Sequence, residues 1–258
     1  MKRAIVLLFV VFSFGFSSQK ERAFDTGEWF KFRIHYGLIN AGYASLEVKE
    51  SVRNNKKVFH AIGKGYTTGL SRFFFKVDDV YESYFDKESG MPFQFVRKID
   101  EGGYTKDQEG FVNQGTNRIL VKDYKHKSEN TFLFPDNTQD IISTFYYLRN
   151  HPNVDKLKPG ESIAIDMFFD NEVTKFKLKF LGYEDIDSKF GTISTMIFRP
   201  LVQSGRVFKE EESVTIWISN DDNKIPIRIK ANLAVGSIKA DLDAFKGLKY
   251  SFKIKAKS

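Results

Sequence analysis

The 258-residue chain contains no cysteine. Disulfides, thiolate metal sites and the cysteine that carries a bacterial lipid anchor are therefore excluded, and the core must hold by packing alone. Histidine is scarce and scattered: His35, His60, His126 and His151 include no pair at i, i+4 and no H-E-x-x-H, so they offer no zinc pattern. No G-x-S-x-G elbow occurs, and Gly69-Leu70-Ser71 and Ser204-Gly205 lack the flanking glycine that lets such a turn expose a nucleophile. No glycine-rich loop follows a strand and opens a helix, which leaves a nucleotide without a cradle. Carboxylates are abundant, as in Asp78-Asp79, Asp185 with Asp187, and Glu210 to Glu212. Glycosidase chemistry needs two of them at a set separation across a cleft, and without that they read as turns and solvated faces. Asp221-Asp222-Asn223 lacks the spaced ligands of a calcium loop and reads as a hairpin turn. The sequence thus presents no catalytic residue, no metal ligand set and no cofactor motif.

Charge of one sign is not in large excess either. Forty Lys and Arg against 33 Asp and Glu give +7, and 7 − 2 = +5 without Lys2 and Arg3. The two signs are interspersed, which describes a solvated surface and not a nucleic-acid footprint. The exception is the row Lys249, Lys253, Lys255 and Lys257. Its spacing predicts the wet side of a terminal edge strand, with Phe252, Ile254 and Ala256 opposite, and at most peripheral contact with anionic head groups. The one uncharged apolar run, Ala4 to Phe16, follows Lys2 and Arg3 and precedes Ser17 and Ser18, the layout of a secretory signal peptide. It is shorter than the roughly 20 residues that span a bilayer. Residues 1–17 are therefore expected to be a leader cleaved near Ser17 or Ser18. Export without cysteine points to a bacterial protein, periplasmic or otherwise extracytoplasmic.

What remains is almost entirely strand pattern. Phe30, Phe32, Ile34 and Tyr36 alternate with Lys31, Arg33 and His35, and Phe176, Leu178 and Phe180 with Lys175, Lys177 and Lys179, the period of a sheet with one wet face. Turn residues such as Asn54-Asn55 and Asp100 to Gly103 separate the runs as in a meander of hairpins. One stretch, Asp136 to Arg149, has a helical period. Ile141, Phe145 and Leu148 recur at i, i+4 and i+7 with Ile142 and Tyr146 beside them, an apolar arc too wide for a helix lying on water. Asp136, with Gln139 three residues on, is the expected start. The fold class that follows is mainly β: an antiparallel meander of curved sheets in two blocks, half-barrel or barrel-like, packed around one central helix. Residues 18–258 make one β-rich domain, or two halves, 27–134 and 160–256, joined by helix 138–149.

Aromatic residues make up 16% of the chain, and the surplus over ordinary core needs is densest at Phe73-Phe74-Phe75. In a strand over Leu70 to Phe85, alternation cannot hide all three on one face, so the place is read as ordinary core packing buried on both faces, or else as an interface or the lining of an apolar pocket. Phe73, Phe74, Phe75, Tyr146 and Trp217 are the candidate ligand-binding residues. On the helix, Asp140, Ser143 and Tyr147 stand at i, i+3 and i+7 and Arg149 closes the last turn, a polar network that needs buried partners. The expected function is an exported, non-enzymatic envelope protein binding a lipid or other hydrophobic small molecule. The alternative is an interaction module that joins a protein partner of the envelope through an exposed edge or aromatic patch.

Residues spread along the chain resemble the exported bacterial family DUF3108. They are Gly27-Glu28, Tyr36, Ala41-Gly42, Val77, Asp79 and Pro92; then Asp140, Ser143, Tyr147 and Arg149; then Trp217, Ser219, Asp222, Ile225-Pro226 and Gly236-Ser237-Ile238. The resemblance implies a mostly β fold and an envelope location, and it brings no assigned activity and no catalytic residues. In architecture the pattern is also similar to lipoprotein carriers of the LolA and LolB kind, in which a sheet wraps a helix and an apolar cavity.

Overall fold

The computed structural model describes residues 21–53, 55–202 and 214–255. The expected leader, Ser204-Gly205 and Glu210 to Glu212 lie outside them. Fourteen antiparallel strands form one continuous sheet. In chain order they are β1 (Trp29–Tyr36), β2 (Ile39–Arg53), β3 (Lys56–Thr67), β4 (Asp78–Asp86), β5 (Pro92–Glu101), β6 (Tyr104–Asn113), β7 (Arg118–Asp123) and β8 (Ser128–Leu133), followed after a helix by β9 (Ser162–Phe169), β10 (Glu172–Ser188), β11 (Gly191–Val202), β12 (Val214–Ser219), β13 (Pro226–Asn232) and β14 (Ser237–Lys246). Each strand pairs with its neighbour in sequence except at one place: β1 also pairs with β14, so both blocks belong to one sheet whose free edges are β8 and β9. A mostly antiparallel meander was legible from the alternation. The β1–β14 joint was not, because register between distant strands is set by packing and leaves no local signal.

The helix after β8, α2, runs over Ile141–Arg149, shorter than expected. Its N-cap is Asp140 rather than Asp136: the Asp140 carboxylate accepts from the amides of Ile142 and Ser143 at 2.8 and 2.9 Å, and the Ser143 hydroxyl accepts from the Asp140 amide at 2.9 Å. That reciprocal pair satisfies free donors at the helix start more completely than any upstream residue, since Asn137 sits at φ 64° and breaks a helical approach. α2 is covered on several sides. Tyr146 packs with Phe24, Phe59 and Phe85, with ring centroids 4.5 Å from Phe24 and 5.5 Å from Phe85, while Leu148 joins Phe180 and Phe198 in a second cluster. The wide apolar arc is thus used against both blocks.

Two expected elements are different. The strand expected from Leu70 does not begin until Asp78; Gly69–Phe74 is instead a six-residue helix, α1, with no buried side chain. Thr68 and Gly69, the latter at φ 53°, end β3 and carry the chain over the end of the sheet, so alternation never constrains the three phenylalanines. The lysine-rich tail forms no edge strand over its described residues, 247–255; Ala256 and Lys257 lie outside them. Gly247, at φ 67°, turns the chain away after β14, and Leu248 and Phe252 turn inward, the Phe252 ring centroid lying 4.8 Å from that of Phe245. Lys249 pairs with Glu21 and Lys255 with Asp185, while Ile254 is exposed.

Candidate functional site

The concave side of β9–β13 and the facing side of α2 do not meet everywhere. Between them lies a cavity of about 410 Å³. Its walls follow the period of two: Thr174, Phe176 and Leu178 on β10, Met196, Phe198 and Pro200 on β11, and Val214, Ile216 and Ile218 on β12 all turn toward it. Ile141, Phe145 and Leu148 of α2 form the roof at the i, i+4, i+7 spacing read from the sequence. The lining is therefore apolar over nearly its whole extent.

Polar groups at the cavity are few, and most are engaged. At one end Arg149, almost wholly buried, donates to both carboxylate oxygens of the fully buried Glu28 at 2.6 and 2.7 Å and to the carbonyl of Asn223 at 2.7 and 3.0 Å. Burial pushes Glu28 up from the ordinary carboxylate value, and the Arg149 charge beside it opposes that rise. Lys224 pairs with Asp155 at 2.7 Å and donates to the Asp221 carbonyl at 3.1 Å. The hydroxyl of Thr144, on the helix roof, is buried and has no hydrogen-bond partner among the described residues.

The predicted site residues separate into three places. Phe73, Phe74 and Phe75 are outside the cavity, 86%, 77% and 55% exposed on and just after α1. Tyr146 is buried in the cluster with Phe24, on a different side of the helix, and burial pushes its phenol well above the usual value. Trp217 lies between the cavity-lining Ile216 and Ile218 and so faces away, donating from Nε1 to Glu184 at 2.6 Å. Of the polar helix set, Asp140 and Ser143 act at the N-terminus, where the Ser83 hydroxyl of β4 donates to Asp140 at 2.5 Å, and Arg149 acts at the other end through Glu28. Tyr147 joins neither network; it packs on the Leu148 cluster beside His151. The polar set is therefore two clamps, one at each end of the helix, with Tyr147 outside both.

Among the described residues, no carboxylate lines the cavity. Asp78 pairs with Arg72 at 2.7 Å, and Asp221 organises its hairpin by accepting from Ser219, Asn223 and Lys224. Asp79 and Glu101 share a hydrogen bond that lifts Glu101 to about 7, yet neither lines the cavity. The true lining residues carried a weak signal: Phe176 and Leu178 were legible as a buried face, but an apolar row reads the same whether it meets side chains or a void.

A strongly curled, open antiparallel sheet folded over one helix, with an apolar chamber beneath it, defines a β-barrel-like cavity protein. Residues 31–243 match the model of the family described as "Protein of unknown function (DUF3108)", and the chain belongs to that family. No curated protein matches the sequence. Among solved structures, a β-barrel-like protein of DUF1849 from Brucella abortus aligns over 87% of this chain and 99% of its own, at TM-score 0.56 and 9% identity, a likeness of fold alone. A DUF1089-family protein from Pseudomonas aeruginosa aligns over 70% of this chain and 87% of its own at 9% identity, with a TM-score of only 0.35.

Proposed function

We propose that this protein is an exported, non-enzymatic bacterial envelope protein that holds a lipid or other hydrophobic molecule in the cavity between α2 and β9–β13. The observation that carries the reading is the cavity itself: about 410 Å³ walled by apolar side chains from a helix and five strands. That volume falls within the range of roughly 300–1,000 Å³ usual for small-molecule pockets. Water gains little in such a space because it finds few hydrogen-bond partners there, whereas an acyl chain loses nothing by entering it. Arg149 and Lys224 are already paired, so the polar part of the lining does not demand an anionic cargo.

The test is native mass spectrometry of the protein purified from cell envelopes, with an organic extract analysed alongside. The expected result is a stoichiometric adduct that is lost on denaturation and recovered as a lipid in the extract. Ile216→Trp, which fills the chamber from its wall, is expected to abolish the adduct while leaving the unfolding temperature unchanged or higher. A clean apo mass with no extractable lipid would overturn the carrier reading and favour an interaction module.

A further inference from the structure

The chamber under α2 has a shape as well as a volume. Three alternate residues on each of β10, β11 and β12 face it, a length of roughly 13 Å along the strands, and its wall crosses five strands, roughly 19 Å at the usual spacing. Spread over that area, about 410 Å³ has depth for one hydrocarbon chain and not for a stack of two. A methylene fills about the 30 Å³ share of a liquid water, so roughly 14 of them occupy the space, and a lipid with two full chains carries about twice as many. The wall is also the concave side of a twisted sheet, which a flexible chain follows and a rigid planar ring system does not.

The two ends of the chamber differ. Gln139, just ahead of α2, bridges to Met167 on β9, and Met167 pairs with Thr174 on β10, so these two wall residues lie at the start of the helix. The Thr174 hydroxyl is spent on the Met167 carbonyl. Arg149 and Lys224 mark the other end. Both also line a second hollow, a crevice of about 160 Å³ whose walls include Glu21, Asn150, Asp222 and Tyr250. An apolar chamber and a polar crevice therefore abut across two side chains. An amphiphile presents that order along its length, whereas a plain hydrocarbon has nothing to place in the crevice. Charge does not select the head, because Glu28 neutralises Arg149 and Asp155 neutralises Lys224.

We propose that the molecule held is a single-chain amphiphile of roughly 14 carbons, its tail in the chamber with the chain end toward Met167 and Thr174, and its polar head in the crevice beyond Arg149 and Lys224. This rests on the carrier reading and adds to it the number of chains, their length and their direction.

The test has two arms, both on the full mature protein. In the first, monoacylglycerols and lysophosphatidylethanolamines with chains from about 8 to about 20 carbons are titrated by native mass spectrometry. Affinity should rise by up to about fourfold per added methylene and level off near 14 carbons in both series, with the dimyristoyl lipid bound at least about tenfold more weakly than its single-chain counterpart. In the second arm, a monoacylglycerol with a diazirine beside the head should label peptides holding residues 21–23, 149–150 or 222–224, and one with the diazirine at the chain end should label peptides holding Met167 or Thr174. Affinity that still climbs at about 20 carbons, equal binding of the two-chain lipid, or the reverse labelling pattern overturns this proposal and leaves the carrier reading standing. No saturable binding at any length removes both.

Discussion

The ion pair between Arg149 and Glu28 is the interaction whose removal the fold should feel most. The side chains are 2% and 0% exposed, and the guanidinium also holds the carbonyls of Asn223 and Ala23, tying α2 to the β12–β13 turn and to the segment before β1. Arg149→Met keeps most of the volume but strands a carboxylate and at least one carbonyl in the interior. Breaking a buried pair from one side costs about 3–5 kcal/mol, a large part of a total stability of about 5–15 kcal/mol. At an m-value of about 2–3 kcal/mol/M, the urea midpoint should fall by about 1–2.5 M. The double variant Glu28→Gln with Arg149→Met removes both charges and should regain about half or more of that loss, which urea titrations of the four proteins measure directly. The defect of the single variant should also shrink on acidification. Without its partner, Glu28 has a folded pKa raised further above its unfolded value, so the folded state takes up the proton and stability is lost as pH rises through that pKa. A midpoint within about 0.3 M of wild type, or additive losses in the double variant, would refute the reasoning.

Two further outcomes follow from close packing and from buried acids. A Cβ on Gly42 would stand 2.2 Å from the backbone carbonyl of Tyr66, whereas one on Gly65 would meet nothing within 4 Å. Gly42→Ala should therefore cost about 1–3 kcal/mol in thermal or urea unfolding, while Gly65→Ala is neutral or mildly stabilising; equal effects would contradict the contact. Burial raises Asp140 to about 6 against the hydrogen bonds that lower it, and the bond with Asp79 raises Glu101 to about 7. Both folded pKa values lie above the unfolded ones, so the stability they contribute is complete below about pH 4 and is lost as pH rises to about 7. Asp140→Asn, which keeps a capping oxygen, should flatten part of that slope between pH 4.5 and 7.5, and an unchanged slope would count against it.

Alternation and turn chemistry made the sheet legible, and the i, i+4, i+7 set made the helix legible. The misses share a cause. Phe73 to Phe75 read as a pocket because their strand assignment forced at least one of them onto each face; once Gly69 turns the chain into α1, the constraint vanishes and the residues stay in water. Trp217 and Tyr146 were named for the aromatic surplus, but position on an element decides what a side chain faces, and each occupies the side away from the cavity. The polar helix residues divide between the two ends of the helix. Helical spacing places Asp140, Ser143 and Tyr147 on one face, yet their partners are set by what folds against each end: Ser83 on β4 for Asp140, and Glu28 ahead of β1 for Arg149.

The helix also explains how a sheet with two free edges becomes a vessel. The β8 and β9 edges are not paired with each other, yet the regions beside them are brought together: the ring centroid of Phe168 on β9 lies 5.5 Å from that of Phe132 on β8 and 5.8 Å from that of Phe95 on β5. Asp170, just after β9, takes salt bridges from Arg97 on β5 and Lys106 on β6. The connection from β8 to α2 fills the gap. Phe134 N donates to Asn117 O beside β7, and five residues later Gln139 N donates to Asp166 O of β9 while Gln139 O accepts from Phe168 N, so a short segment passes from one edge to the other. That segment ends at the Asp140 cap, and α2 then lies across the concave face of the sheet. Closure by a hydrogen-bonded seam would have fixed the interior as a filled core or a narrow barrel. Closure by a helix leaves the spacing between sheet and roof to the side chains of α2 and β9–β13. On that side their sizes leave the chamber open.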